Sequence, residues 1–167
     1  MKDTAYWINH LNLQAHPEGG YYRETYRSDE IIAMAALPNR FSGDRNFSTG
    51  IYFLLDKANI SAFHRIKQDE IWHYYDGSSL SIHIINADGQ YCVKKLGINI
   101  EENEEPQVIV PAASYFAAEV NNKTSFTLCG CTVAPGFDFA DFEMPNKQTM
   151  IKLFPNQLSL IKIFTRL

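Results

Sequence analysis

The side chains best suited to do chemistry lie in the stretch FHRIKQDEIWHYYDG, residues 63–77. Along an extended chain alternate residues share a face, so His64 and Ile66 point one way. A turn over 67–69 would reverse the chain and return Glu70, Trp72 and Tyr74 along that same face. An imidazole and a carboxylate thus converge across a hairpin. The pair could hold a divalent cation, since both ligand types suit one. It could act as an oriented acid/base couple, with a histidine poised near neutral pH. It could also simply satisfy two half-buried polar groups. Trp72 and Tyr74 read either as core or as the wall of an apolar pocket with few polar anchors.

A second stretch, HPEGGYYRETYRS over 16–28, begins with a Gly-Gly turn and continues as alternating aromatic and charged residues. Strict alternation sends Arg23 and Arg27 to one side and Tyr22, Glu24 and Tyr26 to the other. Such a strand is either a solvated edge or part of a binding wall. His73 and His83 alternate away from their apolar neighbours and are expected on the outer face. His10 and His16 fall outside the expected barrel wall, with His16 capping a turn. Cys129 and Cys131, two apart in a strand-like run, share a face and read as small buried hydrophobes, with a metal pair as the alternative.

The elements that must position these groups are mostly short strands. Alternating or apolar runs occupy 47–55, 60–66, 70–75, 80–85, 91–96, 107–110, 115–120 and 124–133, separated by turn formers such as DGSS, NADG and NNK. No helical pattern intervenes to make parallel crossovers, so the expected architecture is an antiparallel sandwich or barrel. Helical spacing appears only at the ends, over 4–13 and again over 146–154 and 156–164, with Pro155 as a break. The segment 38–46 reads as a loop, and the acidic run 101–105 as a solvated one. One domain is expected over 1–167, with the barrel over about 19–140 and a helical segment over about 146–167.

A net charge of −4 with no Lys/Arg-rich run gives no field for a phosphate backbone, which argues against nucleic acid. No stretch approaches the ~20 apolar residues of a membrane helix, and residues 1–20 lack a signal-peptide core. The three cysteines are an odd number without a disulfide spacing, which fits a cytoplasmic setting.

The spacing of His64, Glu70 and Gly77 resembles the first cupin motif, with Ile66 at the place of its second histidine. VPAASYF, residues 110–116, resembles the second motif, with Ala113 for its glycine and Phe116 for its histidine. The two stretches together, in order from His16 to about Gly136, resemble the cupin-5 or DUF985 subfamily. More distantly, residues 20–26 resemble a nucleotide-binding segment of the dTDP-4-keto-6-deoxyglucose 3,5-epimerases, where a histidine at the position resembling His64 removes a proton beside a sugar ketone. The resemblance implies an all-β double-stranded β-helix (jelly roll) with short terminal helices, a small-molecule ligand of nucleotide-sugar-like type, and a homodimer.

Three functions follow as expectations. The first is a metal-independent isomerase or epimerase in which His64 removes a proton, Glu70 orients the imidazole, and Arg23 or Lys67 meets the enolate charge, with Tyr22, Glu24, Trp72 and Tyr74 binding the ligand. It requires no cofactor. The second is a binding or sensor module without chemistry. The third is a metal-dependent enzyme in which His64 and Glu70 hold a divalent metal with an incomplete ligand set.

Overall fold

The structure, a computed structural model, describes residues 2–166. Helix α1 (Thr4–Leu11) begins at Asp3, whose side chain accepts from the Tyr6 amide, and ends at Asn12 in the left-handed conformation. Thirteen strands follow: β1 (Gln14–Ala15), β2 (Tyr21–Arg27), β3 (Ile31–Ile32), β4 (Arg45–Asn46), β5 (Thr49–Asp56), β6 (Ser61–His64), β7 (Asp69–Gly77), β8 (Leu80–Ile85), β9 (Tyr91–Leu96), β10 (Glu104–Glu105), β11 (Gln107–Val110), β12 (Tyr115–Val120) and β13 (Phe126–Ala134). Helices α2 (Lys147–Leu153) and α3 (Leu158–Phe164) close the chain on either side of Pro155. Among the described residues no helix is long and apolar enough to cross a membrane.

The strands form two facing sheets, ordered β1-β2-β5-β13-β7-β11 and β10-β9-β8-β12-β6, with the β3-β4 pair beside them. Their inner faces enclose the main core, which includes Phe53, Leu55, Trp72, Ile82, Ile84, Phe116 and Val120. Burying such side chains between two sheets supplies the main driving force, at roughly 25 cal/mol per Å² of apolar surface.

Both outer faces are also covered in part. Helices α2 and α3 lay Met150, Ile161 and Phe164 over Phe63, Ile85 and Ala117. Helix α1 lays Trp7, Ile8 and Leu11 against Leu54, Phe126 and Leu128. Strand β8 is therefore buried at every position. His83 does alternate to the outer face, yet it is buried there, its ring 4.5 Å from that of Phe164 and its Nδ1 2.8 Å from the Tyr91 hydroxyl. Its expected exposure is thus corrected by the helix that covers it. The segment expected to be a plain loop over 38–46 ends in a second correction, the buried side chain of Arg45.

Candidate functional site

The open end of the barrel holds a cavity of about 460 Å³ between the two sheets. Its polar floor is made by two segments that the fold brings together. The first is the turn after β1. Gly19 and Gly20 have φ of +120° and +75°, and a β-carbon on Gly19 would sit 2.0 Å from the Ile60 carbonyl oxygen, so only glycine fits. This turn is closed by His16–Gly20 backbone bonds, and the Glu18 carbonyl accepts from the Ala62 amide at 2.9 Å. Glu18 is thereby docked against β6, beside His64.

The second segment is the β6–β7 hairpin, which carries His64 and Glu70 into the barrel. His64 Nε2 lies 2.9 Å from Glu18 Oε2, and Nδ1 lies 2.8 Å from the Ala62 carbonyl oxygen. A carbonyl can only accept, so Nδ1 carries a proton. A second proton must then lie between Nε2 and Glu18, giving an imidazolium–carboxylate pair. Glu18 also accepts from the Ser61 hydroxyl at 2.8 Å. Burial alone would drive His64 toward neutrality, but the adjacent Glu18 charge and hydrogen bond outweigh it and hold the histidine pKa above its usual value. Burial likewise opposes ionisation of Glu18, and the attraction of His64 brings its pKa below the usual carboxylate range.

Glu70 is treated differently by the same fold. Burial pushes its pKa up to about 7; the His64 charge opposes the rise, Glu18 adds to it, and a hydrogen bond with Cys131 opposes it again. Among the described residues no arginine or lysine contributes to its shift. His16, also in the cavity wall, is shifted downward by burial despite Glu18 nearby, so it is neutral at neutral pH. The Cys131 thiol is raised by burial and stays protonated.

The side chains expected at the site divide in two. His64, Glu70, Tyr22, Glu24 and Trp72 line the cavity. Arg23, Lys67 and Tyr74 do not. Arg23 turns outward over the Tyr52 ring at 5.6 Å. Lys67 lies 3.2 Å from Asp141 and lines a smaller cavity with Arg40 and Arg65. Tyr74 packs against the inner core and donates its hydroxyl to the Gly77 carbonyl.

Strict alternation also misplaces Arg27. A bulge between Glu24 and Tyr26 inserts Thr25 as an extra residue, which rotates Arg27 onto the cavity side with Tyr22 and Glu24 and leaves Tyr26 exposed. Nor does Glu70 orient the His64 imidazole; Glu18 does. His16, Glu18, Arg27, Cys131 and the phenylalanines at 137, 139 and 142 are lining residues that strand periodicity does not reveal. The PEGG turn, which aims Glu18 inward, is the one signal that could have found the first two.

The two sheets, the hairpin carrying His64 and Glu70, and the left-handed Ala113 (φ 63°) at the second motif's glycine position are the framework on which relatives can be judged. The profile of the Cupin_5 family, described as Cupin superfamily (DUF985), matches residues 5–145. The chain belongs to this family. It is 33% identical over 143 residues to the uncharacterized yeast protein YML079W of Saccharomyces cerevisiae, covering 80% of this chain and 71% of that one. Among solved structures, protein SO0799 of Shewanella oneidensis superposes with a TM-score of 0.88 at 34% identity, and a hypothetical protein from Leishmania major with 0.91 at 30%, each covering 99% of both chains. Oxalate decarboxylase from Bacillus subtilis is similar in fold alone, with a TM-score of 0.54 and 14% identity over 90% of this chain and 36% of that one.

The cupin motifs of this Cupin_5 chain do not fit a tightly held metal. Ile66 and Phe116 occupy two ligand positions, the Phe116 ring packs on His64 with centroids 4.1 Å apart and planes tilted by 59°, and both His64 nitrogens already have protein partners. Among the described residues no three His, Cys, Asp or Glu side chains are grouped to hold a metal ion.

Proposed function

We propose that the cavity takes a small carbonyl compound and moves a proton at the carbon beside its carbonyl, with Glu70 carrying the proton. The observation that carries this reading is the position of Glu70, a buried carboxyl on the cavity wall, where burial pushes its pKa up to about 7. A group with that pKa can both take and return a proton at neutral pH. As a carboxylate, Glu70 removes the proton. The C–H electron pair forms a new C=C bond while the carbonyl π pair moves to oxygen, giving an enolate. Return of the proton from Glu70 to the same face of that carbon restores the starting compound with solvent hydrogen exchanged; an epimer forms when the planar enolate turns its other face to Glu70 first, and an isomer when an α-hydroxyl proton passes to the enolate oxygen and Glu70 protonates the neighbouring carbon, with no net oxidation.

The developing negative charge lies in the field of the His64 imidazolium, whose N–H groups stay on Glu18 and Ala62, so the ring acts through its charge and not through a hydrogen bond. His64 is thus an electrostatic partner here, and Glu70 the base. This exchanges the roles expected from the epimerase resemblance, because both His64 nitrogens are engaged.

Solvent deuterium exchange tests the proposal. Ketones and ketoses that bind the cavity should lose α-protons to D2O in the presence of the protein, and Glu70→Gln should slow this by about 100-fold or more. No exchange in any cavity-bound compound would overturn it. A second reading, ligand holding without chemistry, is favoured by the apolar Ile66 and Phe116 at motif positions; binding that survives Glu70→Gln unchanged, with no exchange in the wild type, would establish that instead. A cytoplasmic setting is supported by free Cys92, Cys129 and Cys131. A homodimer is supported by the exposed Tyr26, Ile31, Met34 and Phe47 near the β2 edge, and light scattering would weigh it.

A further inference from the structure

The cavity has a charge and a shape that bear on which carbonyl compounds it can hold. Four carboxylates line it, Glu18, Glu24, Glu70 and Asp138, against one arginine and one imidazolium. No lysine lines it. The imidazolium has both N–H groups on Glu18 and Ala62, which leaves it none to donate to an anionic ligand. The arginine, Arg27, is consumed at the mouth: its Nε and Nη2 donate to the two oxygens of Glu24 at 3.0 and 2.7 Å, and its Nη1 donates to Asn46 Oδ1 and to the Phe137 carbonyl. A phosphate would find no free planar fork of donors here and would face Asp138 as well.

The same mouth is aromatic. Phe137, Phe139 and Phe142 meet edge to face, with ring centroids 5.1 to 6.4 Å apart, and Phe139 is 54% exposed. An exposed phenylalanine beside a cavity is a surface awaiting an apolar or flat partner. The loop is held rigidly, because Asp141 between these rings is buried and clamped by both Nε and Nη2 of Arg45 at 2.7 and 2.6 Å.

We infer that this site selects a ring-bearing carbonyl compound that is neutral or positively charged, its ring against the Phe137–Phe139–Phe142 mouth and its carbonyl toward Glu70, and that it rejects phosphorylated ligands. On this inference an unphosphorylated ligand takes the place of the nucleotide-sugar-like one expected from the epimerase resemblance. The inference rests on the acid/base reading only for which end of the ligand enters first. Aromatic rings flanked by carboxylates attract cations through the ring faces and through the acidic rim alike.

Three probes sharing one ring and one ketone separate the charges: 4-hydroxyacetophenone, (4-acetylphenyl)trimethylammonium and 4-acetylphenyl phosphate. Titration followed by NMR should find the first two bound and the phosphate at least about tenfold weaker. Glu24→Gln, which frees Arg27, should improve phosphate binding and weaken the ammonium compound, and Phe139→Ala should weaken the two bound probes severalfold. Circular dichroism confirms that each variant is folded. Phosphate binding equal to or tighter than the ammonium compound overturns the inference and leaves the acid/base proposal standing. Preference for the ammonium and neutral probes without deuterium exchange supports the inference and removes the acid/base proposal. Failure of all three to bind overturns the inference, while exchange into other ketones would still uphold the chemistry.

Discussion

Glu70 and Asp141 are both carboxylates withdrawn from water, on the walls of adjoining cavities that share Ile66 and Phe142 as lining residues. Their surroundings differ completely. Asp141 receives two bonds from Arg45, one from Gln68 at 2.8 Å, and the charge of Lys67 at 3.2 Å. Burial alone would raise its pKa, but these partners bring it below the usual carboxylate range. Glu70 is buried with the His64 imidazolium and the Cys131 thiol opposed by the Glu18 charge, and its pKa rises to about 7. The protein can plainly satisfy a buried carboxylate. That it does so at Asp141, where a loop must be fixed, and not at Glu70, where a ligand can reach, separates a structural clamp from a reactive group.

The largest effect that tests this contrast is the loss of the clamp. Arg45→Ala leaves Asp141 as a buried charge without its bidentate partner, and should cost about 3–5 kcal/mol in urea unfolding at pH 7. The sign with pH is set by the lowered pKa: the stabilisation is present above 3.8 and is lost as pH falls through the lower folded value, so wild type and variant should converge in acid. A cost below about 1 kcal/mol at pH 7 would mean that the pair is merely tolerated.

Replacing Glu70 should do the opposite. Its folded pKa of about 7 lies above the reference value of 4.5, so the native state holds the proton more tightly than the unfolded chain. Stability from this group is present below 4.5 and is lost as pH rises through about 7. Glu70→Gln should flatten that part of the pH profile and exceed wild type above pH 7 by up to about 3 kcal/mol, the equivalent of the full shift. His64 contributes with its own sign, since its raised pKa gives stability that is lost as pH climbs past 6.5 through the folded value, so the difference between the two proteins is the quantity to read. A Gln variant less stable than wild type at pH 8 would make Glu70 a structural residue.

The same contrast explains what strand periodicity could and could not reveal. Strands over 80–85, 91–96, 107–110 and 115–120 emerge with the bounds expected from alternation and turn formers, because each is a local pattern closed by local turns. His64 and Glu70 converge for the same reason, being joined by one short hairpin. The charged pairings across the fold are not local. Arg45 and Asp141 meet across 96 residues, and Glu18 reaches His64 only because the Gly19–Gly20 turn docks on β6. A period of two puts Arg23 and Arg27 on one face, and a single bulged residue, Thr25, resets it. His83 alternates as expected, but the face it occupies lies under α3. Periodicity assigns faces; it does not say which are covered or which distant charges arrive.

The smallest effect sharpens the comparison from within the clamp. Lys67 Nζ stands 3.2 Å from Asp141 Oδ1, yet its side chain is 31% exposed and the carboxylate keeps Arg45 and Gln68 without it. Solvent screens such a pair and the lysine loses rotamer freedom in making it, so Lys67→Met should cost no more than about 0.5 kcal/mol. Combining it with Arg45→Ala changes the expectation. With the arginine gone, Lys67 is the remaining cation at Asp141, and its removal should then cost more than it does alone. A double-mutant cycle measured in urea at pH 7 reads this coupling directly. Strict additivity would mean that Lys67 never senses Asp141 and that Arg45 and Gln68 alone keep the loop carrying the aromatic mouth in place.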